Sequence, residues 1–333
     1  MSISGCMSTS PEPLQPPVDM VWPPGKETPR IQLIGSISKP EDLQITQNTF
    51  QRFWEFFVGQ EDNSLVAPYN LTVDRAGRLY VIDTFRRQVL LYDTAARKFQ
   101  IFPKGELRMT FPIDISVDDT SGLIYVVDSK EAIVKVFDGP DDTSPLEFGR
   151  DLLQRPTGVV INYTTKELLV VDTKLSRIFR FNLNNHRLLG EFGKRGIENG
   201  QFNHPTNIAV AKDGTILVTD ALNFRIQIFS AKGKFIRKFG SAGDSPGHFA
   251  RPRGVATDSD GNIYVVDALF DTIQIFNKKG ILLMDFGKSG RKYGEFWLPA
   301  GIFIDKNDII YVADSYNKRV QIFQYLKQDS SLQ

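Results

Sequence analysis

The sequence predicts an all-β fold in which six four-stranded propeller blades follow one another and close into a ring. Three observations predict it. A unit led by proline recurs in register, at Pro68, Pro112, Pro156, Pro205, Pro252 and Pro299, in steps of 44, 44, 49, 47 and 47 residues. Aspartates that close an apolar run, Asp83, Asp128, Asp172, Asp220, Asp267 and Asp314, step by 45, 44, 48, 47 and 47, so two separate markers keep one period. In the clearest copy, Arg251 to Phe276, β-branched alternating runs are bounded by Asp260-Gly261 and Lys278-Lys279-Gly280. These are hairpin signals, and the unit has the length of one four-stranded blade.

Composition narrows the rest. A chain of 333 residues with 41% hydrophobic residues can build a real core, and the repeats occupy residues 67–326. A formal net charge of +1 lacks the bulk electrostatic footprint of a dedicated nucleic-acid binder, so no nucleic-acid partner is expected. Cys6 is the single cysteine, which excludes a disulfide framework or a cysteine zinc site within one chain. No apolar run is long enough to cross a bilayer.

The segments before the repeats divide into three. Residues 1–29 read as an N-terminus and tether rich in serine and proline, with Trp22-Pro23-Pro24-Gly25 extended because each proline forces its predecessor away from helix. Residues 30–35, Arg30-Ile31-Gln32-Leu33-Ile34-Gly35, look like the fourth strand of a repeat: compare Phe235 to Gly240 and Leu282 to Gly287. The last repeat stops at its third strand, Val320 to Phe323, so this N-terminal strand is expected to complete the final blade and remove an open edge. Residues 38–60 form a helical insert before blade one, with a capping-box pattern at Ser38-Lys39-Pro40-Glu41 and an aromatic helix at 49–58. That helix reads either as a plug for one face or as a docking element. Residues 327–333 are a tail.

Two resemblances follow from these residues. Ile3-Ser4-Gly5-Cys6 resembles the lipobox of bacterial lipoproteins, which implies a signal peptide, acylation of Cys6 and a membrane-anchored address in the periplasm or at the outer membrane. The basic and apolar stretches that precede such a motif are missing from the chain as written. A second reading therefore stays open, a lone cysteine in the tail of a cytoplasmic protein. The repeat itself, proline, strand, Asp-Gly turn, Ile-Tyr-Val-x-Asp, then Arg-(Ile/Val)-Gln-(Ile/Val)-Phe and Phe-Gly, resembles the NHL repeat. It is clearest in Pro205 to Gly240, Pro252 to Gly287 and Pro299 to Phe323, and looser in the first three copies, where Asn162 replaces an aspartate and Ile133 the arginine. The resemblance implies a six-bladed β-propeller. The layout as a whole is similar to bacterial NHL-repeat lipoproteins.

Candidate sites lie on the face that carries the loops between second and third strands, which contain Phe85, Leu175, Leu222 with Phe224, Leu269 with Phe270, and Tyr316. Phe85, Leu222, Phe224, Leu269, Phe270 and Tyr316, together with Arg253 and Asn207, are expected to form a surface for a protein partner, since exposed apolar residues at loop tips ask for a cover. The closing aspartates and the arginines five residues later, Arg177, Arg225 and Arg319, read as braces for these loops. Asn70, Asp114 and Asn207, two positions after leading prolines, supply oxygens that calcium could use, as in the lactonase propellers the architecture resembles, but no companion glutamate is found. The three histidines, His186, His204 and His248, are too few for the zinc site of lyase-type relatives. No Gly-x-Ser-x-Gly elbow is present. The glycines of the Phe-Gly loops serve the blade crossings, not phosphate. The reading is a non-enzymatic, exported binding scaffold without cofactor. A metal-dependent lactonase or lyase is the alternative, and polyanion binding through Arg86, Arg87, Lys174, Arg253 and Lys318 is a third class.

Overall fold

Each repeat forms one antiparallel sheet because its strands carry large β-branched and aromatic residues and its turns carry the residues that turns require. The computed structural model describes residues 20–25, 28–45, 62–104 and 107–327. Blades 1 to 5 span 68–102, 112–148, 156–192, 205–239 and 252–286, each a four-stranded meander. The sixth blade is built from 302–325 and from the N-terminal strands. Innermost strands meet their neighbours all the way round, blade 6 against blade 1 included, so the ring is closed.

The closing strand is where the sequence places it, starting one residue later and ending two residues later. Strand β2 (Ile31–Ile37) runs antiparallel to Arg319–Tyr325, with Leu33 opposite Phe323 and Ile37 opposite Val320. A register shift between Leu33 and Gly35 leaves Ile34 outside the ladder, 45% exposed, while Ile31, Leu33 and Ile37 are buried. One boundary is corrected. Val21–Trp22 (β1), assigned to the tether with residues 1–29, is a fifth strand of the last blade, paired with Ile31 and Gln32. Its physical reason is Trp22, whose ring lies 5.8 Å from both Phe286 and Phe323 and fills the seam between blades 5 and 6.

The insert begins one residue later than the Ser38-x-x-Glu41 pattern predicts. Lys39 is the N-cap of a short 3-10 turn, Pro40–Leu43, and Asp42, not Glu41, accepts the amides of Ser38 and Lys39 at 2.7 and 3.1 Å. Ile45 and Leu65 then bury against β2 and blade 1. The predicted aromatic helix at 49–58, like Cys6 and residues 328–333, lies outside the described residues.

In the blade crossings the glycines do what backbone sterics require. Gly193, Gly240 and Gly287 have φ near +90°, and the rings of Phe202, Phe249 and Phe296 occupy the space where a Cβ would stand. Close approach also governs the seam between blades 6 and 1. Gly301 donates its N–H to the Tyr69 carbonyl at 2.8 Å, and a Cβ there would lie 2.7 Å from that oxygen and against the Asn70 side chain. Gly301→Ala is expected to cost about 1–3 kcal/mol by overpacking. Urea unfolding checks this: an unchanged midpoint would show that the seam can part without penalty.

Candidate functional site

The face that carries the 2–3 loops is set by the closing aspartates, all six of which are fully buried. Asp83 takes the amides of Val66 and Ala67 with one oxygen and those of Phe85 and Arg86 with the other, so it joins the crossing loop to the 2–3 loop. Asp128 and Asp172 repeat the pattern with Thr110, Glu131, Gln154 and Leu175. In blades 4 and 6 the arginine joins in. Arg225 Nε donates to Asp220 at 2.7 Å and its terminal nitrogens donate to the carbonyls of Ile197, Glu198 and Gln201; Arg319 does the same with Asp314, Lys292 and Glu295. Arg177 departs from the expectation. It pairs with Glu191 on the neighbouring strand, because Asp172 is already satisfied by backbone amides.

On this rigid base the 2–3 loops present one side chain each, two residues after the closing aspartate. Read round the ring, blades 4, 5, 6 and 1 offer Leu222, Leu269, Tyr316 and Phe85, at 50, 60, 59 and 75% exposure. Blades 2 and 3 offer Lys130 and Lys174, both exposed and neither in an ion pair with a described residue. The apolar positions are therefore contiguous, an arc over four blades completed by two lysines. Trp297 and Phe111, on crossing loops of the same face, add to it at 37 and 42% exposure; the Trp297 ring packs tilted against Tyr316, 5.5 Å between centroids, and lies under the Arg291 guanidinium at 4.6 Å. The sequence reading missed Lys130, Trp297 and Phe111. Aligning the copies on the aspartate would have found the first.

The other predicted residues divide. Phe224 is half-buried, packed on the core between blades 4 and 5 with φ +53°, and Leu175 packs between blades 2 and 3, so neither is a free tip. Phe270 is also half-buried. Arg253 is half-buried and lies over the Tyr69 ring at 5.5 Å, a contact between blades 5 and 1.

Below the loops, the positions two after the leading prolines bind the ring together. Asn70 Nδ2 donates to Asp114 at 2.5 Å, and Asp114 accepts the Val159 amide at 2.7 Å, linking blades 1, 2 and 3. Thr173 donates to the Pro205 carbonyl, Val255 N–H to Asn207, Gly254 N–H to Ala300 and Gly301 N–H to Tyr69. Every seam is thus crossed by a hydrogen bond. The oxygens that calcium would need already accept hydrogen bonds: Asn70 Oδ1 from the Leu71 amide, Asp114 from Asn70 and Val159, and Asn207 from Val255. Among the described residues no three His, Cys, Asp or Glu side chains converge to hold a metal ion.

Burial pushes the Asp114 carboxyl up to about 7, against the hydrogen bonds from Val159, Ile115 and Asn70. The folded chain then holds a proton that the unfolded chain releases near pH 4. Stability contributed here falls as pH rises from about 4 to about 7, by up to about 1.4 kcal/mol per pH unit. Denaturant unfolding of wild type and Asp114→Asn should show a stability difference that changes in that window; a difference flat with pH would rule out the raised value.

Comparison with known proteins fits this geometry. Residues 198–273 match the family described as 6-bladed beta-propeller, and residues 296–323 match the NHL repeat. The chain is a six-bladed NHL-type propeller. Two curated proteins are 44% identical to it over 45 residues, 14% of the chain: B-box type zinc finger protein ncl-1 of Caenorhabditis elegans and Protein brain tumor of Drosophila melanogaster. The matched segment covers only 5% and 4% of their lengths. Among solved structures, an auxiliary nutrient binding protein from Bacteroides thetaiotaomicron is similar with a TM-score of 0.63 at 14% identity, over 80% of this chain and 71% of that one. A streptogramin B lyase is similar with a TM-score of 0.58 at 12% identity, over 79% and 94%. At such identities the likeness is one of fold.

Proposed function

We propose that this NHL-type propeller is a binding scaffold, not an enzyme, and that its loop face takes a protein partner. The observation that carries the reading is the arc of Leu222, Leu269, Tyr316 and Phe85. These are large apolar side chains at one repeat position, exposed on loops whose backbones are fixed from beneath by buried aspartates. Exposed apolar surface on rigid loops is the usual form of an interaction site. The fold itself does not choose, since propellers of this shape include a nutrient binding protein and a lyase.

The scaffold is further proposed to be exported and held at the bacterial envelope by a lipid on Cys6, on the strength of the Ile3-Ser4-Gly5-Cys6 motif and the serine- and proline-rich residues that follow it. Metabolic labelling with a fatty acid tests this: label lost in Cys6→Ala supports the anchor, and unlabelled wild type in the soluble fraction overturns it.

The binding role is tested by cross-linking capture from the native organism with wild type, Phe85→Asp and Leu269→Asp. A partner recovered with wild type and reduced at least about tenfold by either change is the expected result. Exposed positions leave folding intact, which thermal unfolding verifies. Capture indifferent to both changes would move the site elsewhere.

A further inference from the structure

The mouth of the channel holds a cation with no counter-charge among the described residues. Arg253 follows the leading proline of blade 5, and its contact with Tyr69, two blades away, sets it at the central axis. The guanidinium donates no hydrogen bond and enters no ion pair with any described residue. Burial pulls it below the ordinary arginine value, and Arg251 beside it pushes the same way. A half-buried guanidinium normally has an anion or carbonyl against its fork. Arg225 and Arg319 of this same chain show the ordinary arrangement, each with a carboxylate and two or three carbonyls. At the equivalent position of blade 4, the Thr206 hydroxyl is shut from solvent and also has no hydrogen-bond partner among the described residues. Two adjacent blades therefore carry polar groups at the mouth that the fold leaves unsatisfied.

We infer that the mouth is an anion site centred on Arg253, and that it takes a carboxylate of an acidic, apolar polypeptide segment whose large side chains lie on the Leu222 to Phe85 arc. The inference rests on the reading of the loop face as a protein-binding surface. Charge complementarity selects the occupant. Beyond Arg253, the part of the face without apolar tips carries Lys130 and Lys174, neither paired with a described residue, and the exposed Arg155 before the leading proline of blade 3. A segment with Phe, Leu or Trp beside Asp or Glu meets both halves of the ring. The planar guanidinium, already braced on Tyr69, offers two parallel N–H donors to a carboxylate.

The test uses the full chain. Peptides selected from a random phage-displayed library are synthesised and titrated against wild type, Arg253→Met and Leu269→Asp. The expected peptides combine acidic with large apolar residues. Arg253→Met should weaken them about 10- to 100-fold, the usual range for a hydrogen-bonded charged pair. Changing the peptide acid to its amide should weaken wild type equally and Arg253→Met no further. If Arg253→Met unfolds, the acid and amide peptides titrated against wild type decide the matter on the peptide side. Peptides without acidic residues that still require Leu269 overturn the anion site and leave the protein-binding reading standing. Failure to recover peptides sensitive to either residue overturns both. A single-stranded RNA that binds more tightly than any peptide and loses affinity in Arg253→Met, or self-association of the chain lost in that variant, overturns the choice of occupant.

Discussion

Deleting residues 1–37 will abolish cooperative folding of the propeller. The cut removes both N-terminal strands of blade 6, and with them Ile31, Leu33 and Ile37, each buried to within 2%. Three aliphatic side chains at about 1.5–3 kcal/mol apiece amount to about 5–9 kcal/mol, which is the size of a whole domain's stability. The loss continues on the other side of the seam. Val320 and Phe323 would be uncovered, and so would the ladder edge of Arg319–Tyr325, an unpaired strand that invites association with other chains. Removing Trp22 also opens one side of Phe286, so the outer part of the seam between blades 5 and 6 is uncovered. Thermal unfolding followed by near-ultraviolet circular dichroism, with size-exclusion chromatography, is the measurement. A truncated chain that stays monomeric and melts where the full chain does would show that the ring closes without its N-terminal strands.

The second large effect is expected from Asp220→Ala, about 3–5 kcal/mol of destabilisation. The carboxylate is fully buried and accepts the Asn203 amide at 2.6 Å, Asn223 Nδ2 at 2.8 Å, Arg225 Nε at 2.7 Å and Gln227 Nε2 at 3.0 Å. Alanine leaves the Arg225 cation, 6% exposed, without its counter-charge and strands the other donors. Desolvation decides the magnitude, because the Arg177–Glu191 pair has the same chemistry with both side chains more than a third exposed. Glu191→Ala should cost under about 1 kcal/mol. Urea unfolding of both variants gives the ratio. Equal losses would mean that Asp220 does not hold the loop, and a double change with Arg225→Met should recover part of the Asp220→Ala loss.

Much of the loop face was legible before any coordinates. A reader of the chain alone could place Phe85, Leu222, Leu269 and Tyr316 on one loop face, because each stands two residues after an aspartate that ends a strand. The same reading misjudged Phe224 and Leu175, which sit close to those tips in sequence but turn back into the core, Phe224 through a left-handed backbone angle. The angle alone does not decide the direction, since Arg87 and Lys318 hold the same repeat position with the same left-handed φ and are exposed; the apolar neighbour across the seam does, and hydrophobicity of the loop residue does not encode it.

What the sequence by itself determined is the repeat and its closure: blade number, strand order, the structural role of the crossing glycines, and β2 as the missing strand. These are local properties, written in periodicity, turn residues and β-branched runs, so they survive without knowledge of neighbours. Only the tertiary structure decided what happens between blades. Val21–Trp22 leaves an apparent tether because a gap beside Phe286 and Phe323 accepts an indole, Asn70 reaches Asp114, and Arg253 finds Tyr69 rather than a carboxylate. Those pairings join residues from 44 to about 300 positions apart, and they exist only once the ring has closed and brought separate blades into contact.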